Sequence, residues 1–266
     1  MTVEDGGSSR GFALPASFEQ AWGRRERPTR GPRPGLSLER IVAAGVAVAQ
    51  RDGLAAVSMN RVAAEIGSSA MSLYRYIAAK DELLALMIDL AMDVPPPGPD
   101  PAEGWRPAMA HWAWSAFAAY HRHPWVIRVP ITGPPITPRQ IVWMEAGLRS
   151  LGGTGLTEQE KLNTMLLVSG YVRNQALMAA DFMAAGVDAK DAAEHYGRTL
   201  ARLTDPEQFP AVHAAIASGS LDDEHEPADP DQFAPDQFPS LQLSFGLDRI
   251  LDGVDLLITS RRPSPP

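Results

Sequence analysis

From Leu38 to Ile77, three short apolar-periodic runs each open on a serine, and glycines close the first two. Leu38, Ile41, Val42, Gly45, Val48 and Ala49 follow the i, i+3, i+4, i+7 spacing of one helix face, with Ser37 placed to cap and Gly53 to stop. Ser58 precedes Met59, Val62 and Ile66, which share one face of a second, shorter run. Gly67 supplies a tight turn, and Ser68 or Ser69 caps a third run over Ala70 to Ile77. A serine oxygen at such a position accepts a hydrogen bond from an otherwise unpartnered amide of the first turn, so each serine marks where a helix can begin. A short helix, a glycine-containing turn and a second short helix form the helix-turn-helix arrangement, whose second helix enters the major groove of DNA.

The rest of the chain is helical in pattern as well. Val94-Pro95-Pro96-Pro97-Gly98-Pro99, Thr132-Gly133-Pro134-Pro135 and Leu151-Gly152-Gly153-Thr154-Gly155 cannot continue a helix, and Asp222 to Pro239 is an acidic, proline-rich connection. Between these breaks the spacing predicts helices over Lys80–Asp93, Trp105–Tyr120, Thr137–Leu151, Thr157–Ala185, Asp188–Leu203 and Ser240–Thr259. Thr157 and Glu160 form a capping box at the start of the longest. No alternating β pattern stands out, and the expected fold is all-α. The expected organisation is a flexible basic arm over residues 1–36, in which Phe12, Leu14, Phe18 and Trp22 make a short helical patch. A helix-turn-helix domain over 37–80 and a larger helical domain over 81–266 follow.

Charge is divided along the same line. The chain as a whole carries −8, yet Trp22 to Lys80 holds ten Arg or Lys against four acids, and Asp81 onward holds thirteen against twenty-five. A basic end on an acidic body suits a molecule that approaches phosphate with one end only. No cysteine is present, which excludes disulfides, thiolate metal sites and a cysteine nucleophile. No apolar run is long enough for a membrane span, the first ten residues lack a signal-peptide core, and a cytoplasmic location is expected.

In the third run, Leu73 and Ile77 are spaced to pack inward, leaving Ser69, Ser72, Arg75 and Tyr76 to project outward. Arg75 suits bidentate donation to guanine, the serines suit bases or phosphates, and Ala70 or Met71 suits a thymine methyl. Tyr74 and Lys80 suit phosphates that set register. Free amides at the helix starts near Ser58 and Ser68 or Ser69 can receive phosphate oxygens, and Asn60 and Arg61 lie in the first turn of the second run. Geometry alone also allows three helices of a plain α-bundle. An α-helical enzyme would need a nucleophile–base pair or a metal site, and none is found; a helical scaffold for a protein partner would not need Arg75 or the capped turn.

The run Val57 to Leu84, above all Leu73-Tyr74-Arg75-Tyr76-Ile77 followed by Lys80 and Leu83-Leu84, closely resembles the DNA-binding domain of the TetR (tetracycline-repressor-like) family. Phe245 to Val254, His123-Pro124-Trp125 and Trp143 to Leu148 are similar to the C-terminal domain of its tetracycline-repressor-type branch. The resemblance implies a homodimer that binds double-stranded operator DNA, with an acidic body that dimerises and encloses a small-molecule effector. Leu166, Ser169, Val172 and Ala176 on the long helix, with Leu243, Leu247, Ile250, Leu251, Val254 and Leu257 on the last, would build a four-helix dimer seam. The effector pocket would draw on Trp112 and Trp143, with His111, Arg173 and Asn174 as polar contacts; aromatic residues at this spacing equally suit a core.

Two departures bear on the effector. Tetracycline repressors use a histidine at the end of the fourth helix to bind a magnesium–drug chelate, whereas this region runs into Val94-Pro95-Pro96-Pro97. The glutamate expected late in the long helix is replaced by Met178. A less polar effector is therefore expected, with no metal and no cofactor. His121-Arg122-His123 and Asp222 to Glu226 lack the spacing of metal sites and read as a helix end and a solvated acidic linker.

Overall fold

The computed structural model of the chain describes residues 14–24, 36–99, 104–186, 189–221 and 240–261. All regular structure among them is helical: α1 (Ala16–Ala21), α2 (Leu38–Asp52), α3 (Met59–Glu65), α4 (Ala70–Leu73), α5 (Lys80–Met92), α6 (Trp105–Arg122), α7 (Pro138–Ser150), α8 (Glu158–Ala184), α9 (Ala189–Leu203), α10 (Pro210–Ala217) and α11 (Ser240–Arg261). Two compact units divide the chain, residues 1–94 with 128–144 and residues 95–127 with 145–266. Helix α7 begins in the first and ends in the second.

In the first unit the serine caps fall where the sequence puts them. The Oγ atoms of Ser37, Ser58 and Ser69 accept the amides of Arg40, Arg61 and Ser72 at 3.2, 3.1 and 3.3 Å. Gly53 and Gly67 turn the chain with φ of 82° and 65°, a region costly for any side chain. The core these turns enclose is made of Ile41, Val48, Val57, Val62, Leu73, Ile77, Leu83 and Met87. Helix α2 lies tightly on α5 because position 45 is glycine: an added Cβ would stand 2.6 Å from the Met87 sulfur.

The buried face of α5, Leu83, Leu84, Met87 and Ala91, groups it with the helix-turn-helix in this unit. Residues 128–144 join the same unit through polar contacts with the end of α5. Asp89 accepts the Arg139 and Gln140 amides at 2.8 and 3.3 Å, and Arg139 Nη1 donates to the Leu90 carbonyl at 2.7 Å. Each helix thus serves the unpartnered backbone groups of the other's end. Asp93, which ends α5, has a φ of 53°, and its carbonyl accepts the Trp143 indole N–H at 3.2 Å.

Within the expected arm, α1 forms at the position of the expected helical patch, with Ser17 and Phe18 buried, and packs against α5. Phe12 and residues 25–35 lie outside the described residues, as does the acidic connection over 222–239.

The second unit is built on α6 against α8 and α8 against α11. Thr157 and Glu160 form the expected capping box, which also pulls the Glu160 carboxyl below its ordinary range, chiefly through the Thr157 amide. Tyr171 of α8 reaches α11 at Gly246, where an added Cβ would overlap the phenol, and its hydroxyl donates to the Leu243 carbonyl at 3.2 Å. Leu156, Val254 and Ile258 close the unit's end together with Trp105 and Leu257. The sequence pattern does not anticipate α10.

Candidate nucleic-acid interface

Helices α3 and α4 leave one outward face. Leu73 and Ile77 are fully buried, while Met71 is 76% exposed and Tyr74 48% exposed. Arg75 and Lys80 are exposed beside them, and Ser72 lies at the edge of the same face with its Oγ 2.9 Å from that of Ser69. Ser58, Asn60 and Ser69 are exposed at the helix starts, and Ser68 and Ala70 are half-buried between them. An arginine, hydroxyls, a phenol and an extended apolar side chain on one capped helix and the turn that follows it are the set that reads groove edges and grips phosphates.

Two residues expected to contact DNA are engaged within the protein. Tyr76 is half-buried and donates its hydroxyl to the Leu36 carbonyl at 2.8 Å, so it ties the end of the recognition segment to the start of α2. The cause is local: after Leu73 the bonding tightens, and Tyr76 N–H reaches the Leu73 carbonyl at 2.8 Å, swinging the side chain off the outward face. Arg61 is engaged by carboxylates. Its guanidinium meets Asp52 at 3.0 Å and Glu65 at 3.1 Å, and Arg51 meets the same two groups, each at 3.0 Å. Hydrogen bonds from Arg51 hold both carboxyls below their ordinary range, with Arg61 adding to the effect.

Of the residues expected around the effector, Trp143 is buried in the first unit, while His111, Trp112, Arg173, Asn174 and Met178 belong to the second. Trp112 is a core residue there, packed where Gly147 leaves room. Arg173 donates to the Ile127 carbonyl at 2.6 Å, and Asn174 and Met178 are exposed with the amide 3.7 Å from the sulfur. A small cavity of this unit lies between α6 and α8, where Phe117, Tyr120, His121, Ala176, Ala179 and Met183 are among its lining residues. At about 10 Å³ it holds little more than a water molecule. Burial pushes the Tyr120 phenol up, offset in part by Arg173, and pushes His121 down. The signal for this lining was present as i, i+3, i+4 spacing at Phe117, Tyr120 and His121.

No cluster of three acidic or histidine side chains is placed to hold a metal among the described residues. None of the described helices is long and apolar enough to cross a membrane.

Known proteins share both halves of this architecture. The family model described as bacterial regulatory proteins, tetR family, matches residues 41–87, and the tetracyclin repressor-like C-terminal domain matches residues 98–229. The HTH-type transcriptional repressor DrrR1 of Streptomyces coeruleorubidus is 35% identical over 277 residues, covering 98% of this chain and 96% of that protein. ActR of Streptomyces coelicolor, a TetR family protein, shares the fold. Its structure with (S)-DNPA has a TM-score of 0.65 at 24% identity, covering 86% of this chain and all of ActR. Its structure with actinorhodin has a TM-score of 0.67 at 24% identity, covering 84% of this chain and 99% of ActR. With both family domains matched in order and a repressor alike along nearly its whole length, the chain belongs to the tetR family and is a DNA-binding transcriptional regulator.

Proposed function

We propose that the chain is a repressor that binds a two-half-site operator as a homodimer and leaves it when a largely apolar small molecule enters the helical body. The outward side of α4 and of the turn after it carries this reading: Met71, Tyr74 and Arg75 are exposed, while Leu73 and Ile77 between and beyond them are fully buried. Arg75 reads guanine, Met71 or Ala70 meets a thymine methyl, and Ser69 and Ser72 reach bases or phosphate. Tyr74, Lys80, Ser58, Asn60 and Ser68 hold the backbone. Arg61 and Tyr76 set the shape of the motif from behind.

The dimer follows from α8 and α11. Leu162, Leu166, Leu167, Phe245 and Leu256 are exposed along these two helices, and an open groove of about 460 Å³ runs between them over Thr164, Ile250 and Gly253. A second copy's α8 and α11 would cover such a face in a four-helix seam. The effector enters between α6 and α8, where Phe117, Tyr120 and Met183 offer apolar contact and the Tyr120 hydroxyl a polar one. ActR, of the same fold, is crystallised with actinorhodin, which supports an organic effector in this body. The enclosed space is small, so entry requires α6 and α8 to part, and only an effector that prefers the parted state shifts the equilibrium.

Selection of duplexes from a random pool by the full chain is the test. Enrichment of a site with two related half-sites whose centres lie about 34–36 Å apart is expected. Failure to enrich any duplex overturns the reading.

A further inference from the structure

The first unit contains a closed circuit of polar contacts that involves neither α3 nor the outward face of α4. Ser17, 1% exposed, donates to Glu82 Oε2 at 2.8 Å, and the same oxygen accepts the Ala78 amide at 3.1 Å. Glu82 thereby ties the Ala78 amide, just ahead of α5, to the first turn of that helix, at the turn leading out of the recognition segment. At the other end of α5, Asp89 holds the Arg139 and Gln140 amides. Gln140 Oε1 accepts the Ile136 amide at 3.3 Å, and the Ile136 carbonyl accepts the Trp22 indole N–H at 2.9 Å. Trp22 follows directly on α1, where Phe18 is buried, and the circuit closes. Its ties span 65, 50 and 114 residues of chain, so no local preference accounts for them.

We propose that Trp22 and Ser17 are positioning residues for operator binding, with α1 strapping the first turn of α5 to the segment that caps its last turn. Helix α2 shares its core with α5 at Gly45 and Met87, so the helix-turn-helix turns with α5. A duplex with two half-sites one helical turn apart accepts a narrow range of orientations of each recognition helix. A strap that removes the other orientations before binding lowers the ordering cost of association. The inference rests on the two-half-site reading above. It does not require the strap to touch DNA, which separates it from a role for the neighbouring arginines as phosphate contacts.

The test compares the full chain with Trp22→Phe, Ser17→Ala and the double variant. The probes are the duplex that the parent chain selects from a random pool and the same duplex with one base pair inserted between its half-sites. Trp22→Phe keeps an aromatic ring and every arginine but loses the indole N–H together with the five-membered part of the bicycle. The expected result is binding about threefold to tenfold weaker, the scale of one net hydrogen bond. The salt dependence stays unchanged, and discrimination against the lengthened duplex falls by a similar factor. Amide exchange quickens over residues 136–141.

Double-variant affinity within twofold of the parent overturns the proposal. So does weaker binding with spacing discrimination intact, which signals a weakened fold, or a reduced salt slope, which signals lost phosphate contacts. If the parent selects no two-half-site duplex, the operator reading fails by itself. Exchange then decides the strap: parent-like rates over 136–141 in the double variant overturn it, and faster rates support it.

Discussion

On the helix-turn-helix, Met71 and Tyr74 are exposed among serines, Arg75 and Lys80, each apolar group isolated by polar neighbours. Along α8 and α11, Leu162, Leu166, Leu167, Phe245 and Leu256 are exposed on neighbouring helices of one unit, without that isolation. The two glycine contacts follow the same division. Gly45 is sealed against Met87, whereas Gly253, on the groove between α8 and α11, would meet nothing within 4 Å if it carried a Cβ. The first surface suits a hydrated, charged partner that wants a few directional contacts; the second suits another apolar helix pair.

The largest effect tests the second surface. Leu166→Glu with Leu256→Glu is expected to give a monomer of 28.7 kDa in sedimentation, because like charges would face each other across the seam. Affinity for the selected duplex is then expected to fall by about 100-fold or more, since the second half-site no longer binds intramolecularly. A persistent dimer at micromolar concentration would assign the exposed row some other partner.

Next comes the sealed glycine against the open one. Gly45→Val places methyl groups against a fully buried methionine and should cost about 1–3 kcal/mol, read as a lower thermal midpoint of the first unit. Gly253→Val should leave the folded monomer intact and weaken association. Equal thermal effects at the two positions would erase the distinction.

Arg75→Ala should weaken binding to the selected duplex by about 1–3 kcal/mol while binding to random DNA changes little. Undiminished discrimination would show that Arg75 reads no base.

The smallest effect concerns the ion network behind the motif. Asp52 and Glu65 are held below their ordinary values of 3.8 and 4.5, chiefly by Arg51. Their stabilisation is therefore present above those values and is lost as pH falls through the lowered folded-state values. The network lies at the surface, with Arg61 half-buried and the other three groups exposed, so Glu65→Gln should shift the thermal midpoint only slightly at neutral pH. The difference should shrink in acid and in about 1 M salt, where the Debye length is about 3 Å. A difference that survives both conditions would mean that Glu65 acts through packing.

What was legible in the sequence was local. The caps at Ser37, Ser58, Ser69 and Thr157 act within three residues, so their spacing placed the helix starts and, with the buried periodicity, the all-α fold. The outward setting of Ser69 and Arg75 followed from the inward setting of Leu73 and Ile77 nearby. What escaped was tertiary. Tyr76 finds the Leu36 carbonyl 40 residues away, and Trp143 finds the Asp93 carbonyl 50 residues away, so neither side chain's direction could be read from its own helix. Arg61 carries the same charge whether it meets phosphate or Asp52; only the fold brings Asp52 within reach. The close packing of α2 on α5 escaped for the same reason, since Gly45 says nothing of Met87 until the two helices meet.

The reciprocal capping of α5 and α7 has a consequence for domain exchange. A DNA-reading module cut from this chain by a single junction after residue 94 would carry Asp89 and the Leu90 carbonyl but leave behind the Arg139 and Gln140 amides and the Arg139 guanidinium that satisfy them. The same cut would separate Trp22 from Ile136. The portable piece is discontinuous, residues 14–94 together with 128–144, and a chimeric regulator that swaps DNA specificity needs two junctions, one of them inside α7.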